Sequence, residues 1–155
     1  MSQQTENPFS EEERRALTAL AGMIVPASEE FGVPGADDPA IVDNILEDAS
    51  RRPEQLSAAL ATLEAVAEEK CGSAFADLSV AQQQKISEAY RDAHAGHANL
   101  IANLTVQGYY RDDRVMASIG LDPRPPHPLG YEVEQGDWSL LDPVRDKDAF
   151  FRAVE

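Results

Sequence analysis

A chain of 155 residues, 43% of them hydrophobic and 26% charged, has the make-up of one folded domain and excludes an intrinsically disordered polypeptide. Its formal charge of −15, from 28 acidic against 13 basic residues, excludes a nucleic-acid binder unless the few cations gather on one face, and the sequence shows no such gathering. A single cysteine, Cys71, leaves neither a disulfide framework nor a cysteine pair for a metal, and no apolar run approaches the roughly 20 residues that a membrane-spanning helix needs.

The first predicted helix runs from about Ser10 to Ile24. Ser10 and Glu13 form a capping box, Leu17, Leu20 and Ile24 keep helical spacing, and Pro26 forces an end. Arg14 and Arg15 before an apolar dozen copy a twin-arginine export signal superficially, but Glu11, Glu12 and Glu13 stand where such a signal wants positive charge. After a Pro- and Gly-rich loop, Asp38 caps a second helix with Pro39 at its first position and an apolar stripe of Ile41, Val42, Ile45, Leu46 and Ala49. Pro53 opens a third, with Leu56, Leu60, Leu63 and Val66 on its face and Gly72 as its left-handed stop. Ser79 and Gln82 make a second capping box for a fourth helix through Ile86 and Tyr90. Gly96 is expected to interrupt it, and a fifth helix carries Leu100, Ile101, Leu104 and Thr105 into Gly108. A short sixth spans Arg114 to Ile119 and is closed by Gly120. Nothing alternates long enough to make a strand. The fold class is therefore all-α, a compact array of about five helices in one domain over 1–155. Residues 10–120 form the body and 121–155 an irregular extension rich in proline and aromatics, with a last turn expected at Asp146 to Val154.

The stretch from Leu104 to Trp138 differs from the rest. It holds three of the four tyrosines, the only tryptophan and four of the ten prolines. Before position 71 there are 15 acidic and 5 basic residues, but between Gly108 and Tyr131 three Asp meet three Arg. Such a locally neutral surface in an acidic chain is the least costly to desolvate against a partner. The run Pro123 to Pro128, PRPPHP, favours the extended polyproline conformation and reads as a rigid strap, a plain connector or a ligand for a groove domain. The surface expected to meet a partner comprises Gly108, Tyr109, Tyr110, Pro125, Pro126, Pro128, Gly130, Tyr131 and Trp138.

Few residues offer chemistry. His94 and His97, near Glu88 and Asp92, suggest a small metal-dependent enzyme as an alternative, but no second acidic cluster completes a site. Cys71 sits at a predicted helix C-terminus, where the dipole opposes a thiolate. No nucleophile elbow, Gly-x-Gly-x-x-Gly or Walker loop is present. No catalytic, cofactor-binding or metal residue is assigned.

The strings LTALAGMIVPA at Leu17 to Ala27, GVPGA at Gly32 to Ala36 before IVDNIL, and LTVQGYYRDDRV with IGLDPRPPHPLGY and GDWSLLDPVR resemble the gluconate 2-dehydrogenase subunit 3 family over roughly Leu17 to Arg145. The resemblance implies a small, non-catalytic subunit of a hetero-oligomer. Its partner would be a large FAD-dependent oxidoreductase of the glucose-methanol-choline class, which oxidises an alcohol group of a sugar, sugar acid or related polyol. FAD is expected in that partner and not in this chain, and neither nucleic acid nor direct membrane insertion is expected. Many members of the family carry a twin-arginine signal before the first helix, whereas only about nine residues precede Ser10. A cytoplasmic location is therefore favoured, with a periplasmic one if the chain is exported with its partner.

Overall fold

The structure is a computed structural model of the chain, and it describes residues 8–124, 127–128, 130 and 134–147. Seven α-helices occur among the described residues: α1 (Glu11–Ile24), α2 (Pro39–Ala49), α3 (Pro53–Cys71), α4 (Val80–Ala93), α5 (Ala95–Tyr109), α6 (Asp113–Ser118) and α7 (Asp142–Arg145). The all-α expectation is met, while the expected count of about five is low. Five long helices make the body, and the short α6 and α7 are added to them.

The chain divides into two compact units, Met1–Pro123 and Arg124–Glu155. In the first, α5 is the central element and is packed by α1, α2, α3 and α4. The apolar stripes converge there: Leu17 of α1, Ile41 and Ile45 of α2, Leu60 and Leu63 of α3, and Ile101 of α5 are all fully buried. Burial of that kind contributes about 1.5–3 kcal/mol per large side chain, so tertiary packing and not helix propensity holds these helices.

Local signals act where the sequence places them. The amide of Ser10 donates to Glu13 Oε2 at 2.7 Å, and Ser10 Oγ accepts from the Glu13 amide at 3.2 Å. Gln82 Oε1 likewise accepts from the Ser79 amide and hydroxyl, at 3.1 and 2.7 Å. Gly72 ends α3 in the left-handed region at φ 66°. After α6, the amides of Gly120 and Leu121 return to Ala117 O and Met116 O at 3.1 and 3.0 Å, the paired bonds of a Schellman stop.

Two expectations need correction. The break between α4 and α5 falls at His94, whose backbone is non-helical (φ −133°, ψ 50°), and not at Gly96, which is taken into the first turn of α5. A glycine near a helix start costs little, because the amides there have no intrahelical acceptor to lose. The extension is also less irregular than expected. In the second unit, Trp138–Leu141 forms a 3₁₀ turn that leads directly into α7. The turn expected at Asp146 to Val154 lies for the most part outside the described residues, which end at 147.

Candidate partner interface

Gly108 lies where α5 meets α2. A Cβ there would fall 2.5 Å from Ile45 Cγ1 and 3.0 Å from the Ile45 backbone nitrogen, so only glycine lets the two helices approach this closely. Tyr109 follows, buried, and its hydroxyl donates to Pro34 O at 3.3 Å. Burial, and then the neighbouring Tyr110 and Asp112, push its phenol above the ordinary range. Gly108 and Tyr109 are thus consumed by the body and present little to a partner. Tyr110 differs: it meets the Tyr109 ring edge-on at 5.3 Å and keeps about half of its surface exposed.

Several of the charges that make this segment neutral pair within the fold, although Arg111 and Arg114 stay partly exposed. Arg111 reaches Asp48 Oδ1 at 2.6 Å and Glu47 Oε2 at 2.7 Å, placing a cation beside two carboxylates in the last turn of α2, where the helix dipole disfavours them. Arg114 grips Asp112 through Nε and Nη2, at 2.9 and 2.8 Å, and Asp38 at 2.8 and 3.1 Å. Those two aspartates cap α6 and α2, accepting from the Arg114 and Ala40 amides respectively. One guanidinium therefore ties two helix starts together. Hydrogen bonds from Arg114 hold both carboxyls below the usual aspartate range, outweighing the opposing effect of burial. Local neutrality here reflects a clamp within the fold, which sequence counting cannot distinguish from a neutral docking face.

In the second unit, Arg124 donates to Gly130 O at 2.7 Å, and Gly130 turns the chain at φ 66°. Pro128 is exposed. Asp137 caps the 3₁₀ turn by accepting from the Ser139 amide and hydroxyl, which hold its carboxyl below the ordinary range. Neither that turn nor α7 contains a buried residue. Trp138 and Leu140 are 60% and 74% exposed, and Leu141 and Val144 are exposed beside them in sequence. Leu140, Leu141 and Val144 lie outside the surface expected from sequence, where aromatics and prolines carry the signal. Pro125, Pro126 and Tyr131 lie outside the described residues.

The histidine pair gains no third ligand. The rings of His94 and His97 stack with centroids 6.4 Å apart, and among the described residues no group of three or more His, Cys, Asp or Glu is gathered to hold a metal ion. An open groove of about 610 Å³ runs between the end of α1, α4 and α5, floored by Leu20, Met23, Ile24 and Tyr90. The charged groups at its edge, Glu88 and Arg91, stay exposed. Tyr90 is buried, its hydroxyl donating to Ala59 O at 2.9 Å, and burial pushes its pKa up to about 12. That phenol is a structural donor with its proton already committed. No described helix is long and apolar enough to cross a membrane.

No curated protein and no solved structure matches this chain. The family model described as Gluconate 2-dehydrogenase subunit 3 matches residues 11–122, which covers every helix of the first unit and stops before PRPPHP. The match spans well over half of the chain, from the first turn of α1 to the Schellman stop of α6, and on that ground the chain belongs to the gluconate 2-dehydrogenase subunit 3 family.

Proposed function

We propose that this chain is a non-catalytic small subunit that binds and stabilises a large FAD-dependent oxidoreductase of the glucose-methanol-choline class. In this reading the large subunit holds the FAD and oxidises an alcohol group of a sugar, sugar acid or related polyol. Membership of a dehydrogenase-subunit family is the observation that carries it. The second unit supports it: a capped turn and a short helix that display Trp138, Leu140, Leu141 and Val144 without a buried residue of their own are what a docking element needs.

Coexpression of this chain with the large flavin-dependent subunit tests the proposal. The expected result is a stoichiometric complex with the visible absorbance of bound flavin. A large subunit that is fully stable and active alone, with this chain remaining a separate soluble monomer, would overturn it.

A further inference from the structure

The loop between α1 and α2 contains a projecting hairpin that the assembly reading does not use. The Ala36 amide donates to Val25 O at 2.8 Å and closes the base of the loop. Inside it, Ser28 and Val33 exchange two backbone bonds at 3.1 and 3.0 Å, the one antiparallel bridge among the described residues. The Gly32 amide turns back to Glu29 O at 3.2 Å with φ 63°, and Ser28 Oγ accepts from the Phe31 amide at 3.4 Å. The side chain held at this tip is Phe31, 70% exposed.

Isolated exposed apolar residues are ordinary, but an aromatic fixed at the tip of a hydrogen-bonded hairpin is different. Its backbone is already ordered, so little further entropy is lost on docking, and Phe has only two side-chain torsions to restrict. The mount is stiff as well. Pro34, just beyond the hairpin, accepts the Tyr109 hydroxyl, and the Tyr109 ring meets exposed Tyr110. Tyr109 thus links the foot of the hairpin to the end of α5, and Phe31 and Tyr110 are both exposed aromatics of the first unit.

We propose that Phe31 and Tyr110 are the aromatic anchors by which the helical body docks into an apolar pocket with a basic rim on the large subunit, an inference that rests on the partner-subunit reading above. The chemistry of the rim follows from charge: exposed Glu29 and Glu30 immediately precede Phe31 on a chain of net charge −15. The same carboxylates disfavour the other occupants. A symmetric second copy would bring the acidic tips of both copies toward one patch, and an anionic lipid surface would repel them.

The test uses the purified complex with the large flavin-dependent subunit and measures dissociation constants for wild type, Phe31→Ser, Tyr110→Ala, Glu29→Lys with Glu30→Lys, and Val80→Ser as an exposed control on α4. Phe31→Ser is expected to weaken binding about 30-fold and Tyr110→Ala about 10-fold, with far-ultraviolet circular dichroism and melting temperature unchanged. The charge reversal should slow association and flatten its dependence on salt, and Val80→Ser should bind as wild type. Wild-type affinity in Phe31→Ser would overturn the proposal while leaving the partner-subunit reading intact. So would a Phe31→Ser effect on self-association alone, measured by analytical ultracentrifugation. Absence of any wild-type complex would overturn the underlying reading and this inference with it.

Discussion

At Gly108 a missing side chain sets the distance between two helices. Because the clash in Gly108→Ala involves the Ile45 backbone as well as a flexible side chain, the neighbour cannot simply rotate away. We expect a loss of about 1–3 kcal/mol, read as a lower urea midpoint with an unchanged slope. Tyr90→Phe tests the interior in a gentler way. It removes one buried hydroxyl that donates to a carbonyl in α3, and should cost about 0.5–1.5 kcal/mol in the same titration. Phe31 and Tyr110 are the opposite kind of residue, since the body gains little from either.

Between elements, Arg114 is the decisive contact because it joins the caps of α2 and α6. Both aspartates it holds have folded pKa values below their ordinary range, so their contribution is present above about pH 4 and is lost as pH falls through the depressed folded values. Arg114→Gln should therefore lower the urea midpoint at pH 7 more than at pH 3, making the variant's stability less acid-sensitive than that of wild type. An equal loss at both pH values would show that the aspartates are not what Arg114 stabilises.

The caps and stripes of these helices were legible in sequence because their causes are local: Ser10 with Glu13, Asp38 with Pro39, and Gly72 each act within one turn. The clamp was not legible, because Arg114 meets Asp38 across 76 positions and sequence counts only its charge. For the same reason sequence does not show that Gly108 meets Ile45 of α2, or that Tyr109 is buried with its hydroxyl on Pro34. The exposed aliphatic residues of the second unit and the hairpin at Phe31 were missed for a different reason. Exposure is a property of the assembled fold, and neither an isolated Leu nor a Phe in a loop announces it.

For the whole molecule, two sets of uncovered apolar side chains, one on each unit, give an acidic chain the means to bury surface against a larger protein. Trp138→Ala probes the second unit directly. It should leave the isolated chain within about 0.5 kcal/mol of wild type, because the Trp138 side chain is mostly exposed, yet weaken the complex by about 2 kcal/mol, as measured by titration calorimetry.

In the proposed role this chain stabilises a flavoprotein partner without performing its chemistry. The melting temperature of the FAD-loaded large subunit, measured with and without a stoichiometric amount of this chain, tests it most directly. Because a partner that binds only the folded state raises its stability, a clear upward shift that grows with the concentration of the small chain is expected. An unchanged melting temperature at saturating concentration would contradict it.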